Sequence, residues 1–224
     1  METEWILGID PGKHGGAVLL DANNVCNQVH IPTAVKDGRV DVMYTINALK
    51  PYMDNISTAF IEDVHAIYGS AASATFEFGH AAGALYGAVQ ALLGERVQVG
   101  YIQPKLWQKV AWKGVGTVNG KAVIDSSTGK QKVLKNGKLR FKVDTKATSS
   151  AAAHSLFPGV SFIPKRCRKE HDGIVDAALI AYAVMPDNIV EALATKKKTK
   201  NKKISAITIG DDDVVIGPSK EKKK

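Results

Sequence analysis

A chain of 224 residues with an apolar fraction of 45% can bury a core without covalent staples, so a disulfide-held mini-domain is excluded. Its formal net charge of +8 favours an anionic partner, either nucleic acid or an anionic membrane surface. The two cysteines, Cys26 and Cys167, match no zinc spacing and point to a reducing compartment. The opening METEWILGID has no basic n-region followed by an apolar core, so no secretory signal is expected. The longest apolar stretch, about 81–93, is too short to span a bilayer and rich in Gly and Ala. A soluble protein with no membrane partner and no small-molecule cofactor is expected.

In chain order, residues 5–10 and 16–20 read as two strands joined by DPGKHGG, whose Pro and Gly residues supply turn chemistry. A third strand near 24–31 completes an antiparallel meander. A helix over about 41–53 carries Val42, Ile46, Leu49 and Met53 on one face. The apolar run 58–64 fits a buried strand. A long helix over 70–93 follows, with Gly79, Gly83, Gly87 and Ala91 at every fourth position. That stripe permits close approach of another backbone, either the chain's own sheet or a second copy. A strand over 97–102 leads through Pro104 into a helix near 105–112. Helices over 147–156 and 172–184 flank a short predicted strand at 160–163. Meander strands followed by alternating strands and helices predict an α/β sandwich with helices on both faces of a mixed sheet.

Two segments stand apart. Between 114 and 144, Asn119-Gly120 and Asn136-Gly137 are hairpin-turn signals. Lys121, Lys130, Lys132, Lys135, Lys138, Arg140 and Lys142 crowd that segment against the single acid Asp125. It reads as a basic β-hairpin arm inserted at about 117–143 in a domain spanning 1–185. Residues 186–224 form a basic low-complexity tail. Its KKKTKNKK is either a solvated run or, in a eukaryotic host, a nuclear-localisation signal. Its ISAITIG and DDDVVIG suit a marginal hairpin or pairing with a partner.

Four acids in apolar surroundings suggest chemistry: Asp10 in WILGIDPG, Glu62 in TAFIEDVHA, and Asp172 and Asp176 in HDGIVDAALIAYA. A lone buried carboxylate is costly to desolvate. Strand alternation puts Asp10 on the face of Gly8, and puts Glu62 and Asp63 on opposite faces. Asp172 and Asp176, at i and i+4, share one face of a helix. If the strands adjoin and the helix crosses them, the carboxylates converge, and only a cation relieves their repulsion. An all-oxygen donor set suits Mg²⁺ or Mn²⁺. Each acid also has an ordinary alternative: a turn for Asp10, a helix cap for Asp172, a lysine pair for Glu62.

The succession GIDPG…GGAV, IEDVHA, a Gly/Ala-rich helix, QPKLWQKVAWKGVG, DTK and HDGIVDAALIA resembles the RuvC family of Holliday junction resolvases over most of residues 4–184. It is most similar to the divergent members carried by phages and other large DNA viruses. The resemblance implies an RNase H-like fold, a homodimer, and a site with two divalent ions that nicks opposing strands of a four-way junction. It implies that Asp10, Glu62 and Asp176 are metal ligands. The family commonly has an acid or His three residues before the last Asp, where this chain has Gly173; Asp172 and His171 are the available substitutes, with Asp172 taken as the further metal ligand and His171 as a proton shuttle near the leaving oxygen. Lys109 and Lys146 fall where the family places cations beside the scissile phosphate, with Lys105 and Lys113 as neighbours able to replace either. Tyr68 or Phe76 is expected to wedge into the crossover, and Lys132, Lys135, Lys138 and Arg140 to contact DNA. The competing readings are an RNase H-like or flap-debranching nuclease of the same fold and a basic protein that binds junctions without cutting. The expected location is the cytoplasm of a bacterium or infected host, or the nucleus in a eukaryotic host.

Overall fold

A computed structural model describes residues 3–63, 71–97, 99–134, 136–188 and 214–216. Strands β1 (Trp5–Asp10), β2 (Gly16–Asp21) and β3 (Gln28–Pro32) form the antiparallel meander. Two short strands, β4 (Val35–Lys36) and β5 (Arg39–Val40), make a small ribbon before helix α1 (Val42–Leu49). A 3-10 turn over Lys50–Asn55 leads into β6 (Ile56–Glu62), which runs parallel to β1. Helix α2 (Ala72–Leu93) returns the chain to β7 (Val99–Ile102), parallel to β6. Then come α3 (Pro104–Ala111), β8 (Asn119–Ala122), β9 (Phe141–Val143), α4 (Thr145–Leu156), α5 (Asp172–Ala183) and β10 (Val214–Ile216).

The main sheet has the order β10-β7-β6-β1-β2-β3. Antiparallel β2 and β3 thus lie on one side of β1, and parallel β6 and β7 step out on the other with antiparallel β10 at the edge, which is the RNase H-like arrangement. Alternation splits the core into two layers. Leu7, Ile9, Ala17, Leu19 and Ile61 pack with α1 and α2, whereas Ile6, Val18, Leu20 and Phe60 pack with α3, α4 and α5. No helix among the described residues is long and apolar enough to cross a membrane.

Helix α5 sits unusually deep because glycines open the way. A Cβ on Gly8 would lie 2.2 Å from the Ala177 carbonyl oxygen, and one on Gly173 would lie 2.2 Å from the His14 carbonyl oxygen. The loop after β1 therefore packs directly on the first turn of α5.

Several expectations are corrected. Residues 160–163 form no strand: the stretch is held by the His171 N–H donating to the Phe162 carbonyl, with the Phe162 ring buried. Asn119-Gly120 lies within β8 rather than in a turn. The first turn of the arm is Asp125–Gly129, where Asp125 Oδ1 accepts from the Ser127 N–H at 2.9 Å and Gly129 has φ +65°. The arm is more than a hairpin: Val123 donates to Arg140, Arg140 to Lys132, and Lys132 back to Val123, closing three segments on one another. The glycine stripe of α2 does not pack on the sheet. Gly79, Gly83 and Gly87 face outward with nothing within 4 Å of an added Cβ, while Ala81, Leu85, Val89 and Leu93 face inward. In the tail, Val214–Ile216 pairs antiparallel with β7 of its own chain. ISAITIG and KKKTKNKK lie outside the described residues.

Replacing Gly173 with Ala drives a Cβ into backbone that cannot step aside. A loss of about 2 kcal/mol or more is expected, seen as an earlier urea midpoint at unchanged slope. An unaltered midpoint would mean that α5 does not approach the loop this closely.

Candidate active site

Three elements deliver the acids. β1 and β6 are parallel with Ile9 level with Ile61, so one further step brings Asp10 level with Glu62. Both share the parity of Ile6, Gly8 and Phe60, the side of the sheet that α5 covers. Asp63 takes the opposite parity. Helix α5 begins at His171, whose Nδ1 accepts the Ile174 N–H at 3.3 Å. Asp176 lies one turn in, where α5 passes over the ends of the strands.

Hydrogen bonds hold the carboxylates individually. Asp10 Oδ1 accepts the Gly12 N–H at 3.0 Å. The fully buried Trp107 indole donates to Glu62 Oε1 at 2.9 Å. The buried Ser149 hydroxyl bonds Asp176, yet Asp176 Oδ1 is itself buried with no hydrogen-bond partner. Burial is the largest cause of the perturbed protonation. It raises Asp10 above its ordinary value, against the Gly12 hydrogen bond. Burial and then the Asp10 charge push Glu62 up to about 7, with Asp176 adding to the rise and Trp107 opposing it. Burial also pushes Asp176 up to about 7, opposed by Ser149 and reinforced by Asp10 and Asp172. Glu62 therefore senses both Asp10 and Asp176, and Asp176 senses Asp10.

Asp172 behaves differently. Its side chain is 51% exposed and paired with Lys146, which raises the Lys146 pKa. The pair stands at the rim, beside the buried trio. His171 caps the helix, and burial lowers its pKa. No acid is accessible at position 173, because the loop backbone occupies the space a side chain would need.

Lys105 and Lys109 are exposed on α3, and Lys113 is exposed just beyond it, while Trp107 and Leu106 of the same helix face the core. Phe76 is 72% exposed near the start of α2. In the arm, Lys138 and Arg140 are exposed, and Lys132 stands 3.5 Å from Asp125. Tyr68 and Lys135 lie outside the described residues. Sequence reasoning missed Trp107 and Ser149. An indole on an inward helix face needs an acceptor, but only the tertiary packing shows that this acceptor is Glu62.

Among the described residues, no three or more His, Cys, Asp or Glu side chains stand in a ready-made cation cage. The donor chemistry nonetheless fits a hard divalent ion: the groups are all carboxylates, they repel one another, and one buried oxygen lacks a partner.

No protein-family model matches the chain, and no curated protein matches it. Among solved structures it is similar to Thermus thermophilus RuvC in complex with Holliday junction substrate, at 12% identity over 82% of this chain and 96% of that one, with a TM-score of 0.44. It is also similar to a second Thermus thermophilus RuvC structure, at 14% identity over 87% and 97% of the two chains, with a TM-score of 0.39. Likeness at this level adds nothing to the topology already described.

The raised carboxyls make stability fall with pH. Glu62 and Asp176 keep their protons to about 7 when folded, against ordinary values of 4.5 and 3.8. Between about pH 4 and 7 the unfolded chain therefore loses protons that the folded chain retains, and stability drops across that window. Without divalent ions, Glu62→Gln is expected to raise the melting temperature at pH 8 by on the order of 5 °C, and far less at pH 4. A gain of equal size at both values would exclude an ionisation penalty at Glu62.

Proposed function

We propose that this chain is a divalent-metal-dependent endonuclease that cuts branched DNA, four-way junctions foremost, by paired nicks made as a homodimer. The observation that carries the reading is the meeting of Asp10, Glu62 and Asp176 at one end of the sheet, from three separate elements, in a chain of net charge +8. A protein that only held phosphate would gain nothing from a buried anionic cluster. Asp10, Glu62 and Asp176 would hold Mg²⁺ or Mn²⁺, two ions per site, and the bound metal would acidify a water and offset charge on the phosphate.

The chain's own residues supply orientation. Trp107 fixes Glu62 and Ser149 restrains Asp176, so neither carboxylate turns freely. Lys146, held by Asp172 at the rim, presents an ammonium to an arriving phosphate, and exposed Lys105, Lys109 and Lys113 extend the same polarity. His171 spends Nδ1 on the helix cap, so its neutral ring carries the proton on Nε2. It is thus suited to donate a hydrogen bond to the departing 3′ oxygen and not to accept a proton. The outward stripe of Gly79, Gly83 and Gly87 supports the dimer, which would pair two sites for two incisions.

Purified protein incubated with a labelled four-way junction, a linear duplex and an RNA/DNA hybrid, with and without Mg²⁺, tests the reading. Symmetrical, metal-dependent nicks in the junction alone are expected. Asp10→Asn should lower their rate by about 10³-fold while junction binding persists. Cleavage of the hybrid instead would favour the RNase H-like alternative, and binding without any cleavage would end the nuclease reading.

The arm gives a second test. Its base is stitched to α4, where the Val118 N–H donates to Thr148 Oγ1 at 3.0 Å, close to Lys146. Removing residues 117–143 is expected to weaken junction binding and flatten its salt dependence, because fewer counterions are released. An unchanged slope would detach the arm from phosphate.

A further inference from the structure

Seven of the twelve large apolar side chains that stand exposed among the described residues fall within residues 117–143, so this exposure is concentrated on the arm and not scattered. The pairing of the arm's segments sorts them by face. Side chains of directly opposed residues share a face, and so do alternate residues along a strand. Val143 lies opposite Asn119, Phe141 opposite Ala122, Leu139 opposite Val133, and Ile124 opposite Gln131. One face therefore carries Ile124, Val133, Leu139, Phe141 and Val143, each 39% to 57% exposed. The charged side chains of the same paired segments, Lys130, Lys132, Lys138, Arg140 and Lys142, take the opposite face. The arm thus has an uncharged apolar side and a cationic side. A sheet of three short segments needs its apolar face against a second layer, and the described residues leave this one open.

We propose that the apolar face of the arm is the surface through which two copies of the chain associate, each arm supplying the layer the other lacks. The inference rests on the homodimer in the reading above and names its interface. At about half exposure each, five such side chains leave on the order of 400 Å² open to water, a size that marks an interaction site on a soluble protein. Two such faces laid together cover about 800 Å², and with the arm residues around them approach the ~1,200 Å² at the lower end of specific interfaces. A dimer of roughly micromolar strength follows. The face carries no charge with which to recognise nucleic acid or a charged peptide. Its own copy meets it across a two-fold axis and leaves no charge unpaired. Packed in this way, two ribbons bury their inner faces and keep Lys138, Arg140 and Lys142 outermost on both. The outward glycines of α2 bring no side-chain area of this kind. Position gives the contact a consequence. The Val118 N–H fixes the base of the arm on Thr148 Oγ1, and the next residue, Ser149, bonds Asp176. Mated arms therefore tie two carboxylate clusters into one assembly, with a cationic surface on each side.

Sedimentation of the full-length chain, with no DNA present, tests this. The parent is expected to pass from monomer to dimer as its concentration rises through the micromolar range. Leu139→Asp and Leu139→Lys should each weaken association about 10-fold or more, since each sets like charges against one another in the interface. Lys142→Gln, on the other face, should leave association within about 2-fold. An equimolar mixture of the Leu139→Asp and Leu139→Lys chains should associate about 10-fold more tightly than either alone, because opposite charges then meet. Mixing cannot repair an arm that has merely failed to fold, so this rescue separates the interface from a structural defect. A Leu139→Asp chain that dimerises like its parent overturns the inference and keeps the homodimer. Weakening that mixing does not rescue also overturns it, and leaves the face to residues 204–210 of the same chain or to another apolar partner. A parent that stays monomeric at every concentration overturns it together with the homodimer, while junction cleavage stands or falls by the separate assay above.

Discussion

The contact on which the site depends is the absence of side chains between α5 and the strands beneath it. Gly8 and Gly173 leave no room for a Cβ, so the backbone of the helix rests on β1 and on the loop that follows it. A helix held off by ordinary side chains would sit about 10 Å from the sheet, a normal spacing for packed layers. Brought closer, α5 carries Asp176 into the electrostatic reach of Asp10 and Glu62. The same closeness leaves no room for a side chain at position 173.

That geometry sets folding against function. Burial alone raises all three carboxyls, and their mutual charge raises Glu62 and Asp176 further. Such a cluster weakens the fold near neutral pH, and a sheet buried on both faces has to offset it. The hydrogen bonds from Gly12, Trp107 and Ser149 recover part of the cost and orient the oxygens. Lys146 helps Asp176 only at a distance, because its direct partner is Asp172 at the rim.

Much of this was legible in the chain. The meander, the strand ending at Glu62 and the helix opening at Asp172 follow from alternation and spacing, whereas the common face of Asp10 and Glu62 follows from the register of β1 on β6. Local signals failed where tertiary context decides. Asn119-Gly120 has turn chemistry, yet Asn119 pairs with Val143 and Gly120 packs against Asp144 at the base of the arm. Residues 160–163 have strand composition, but they join no ladder; the Phe162 ring stacks instead on His30 of β3. The α2 stripe fits packing inward or outward equally well until the apolar residues beside it are seen to claim the inner face. The β4–β5 ribbon, two residues a side, is too short to leave a periodicity.

Strand β10 has a consequence for how the molecule assembles. Val214–Ile216 completes the sheet beside β7, although the two strands are separated by more sequence than any other pair in it. Ordering a segment so distant in sequence costs entropy that a three-residue ladder recovers poorly. The remaining strands can pair without it, so this seam should form last and open first. The outer margin of β7 would then be intermittently bare, with backbone donors and acceptors that invite another extended segment.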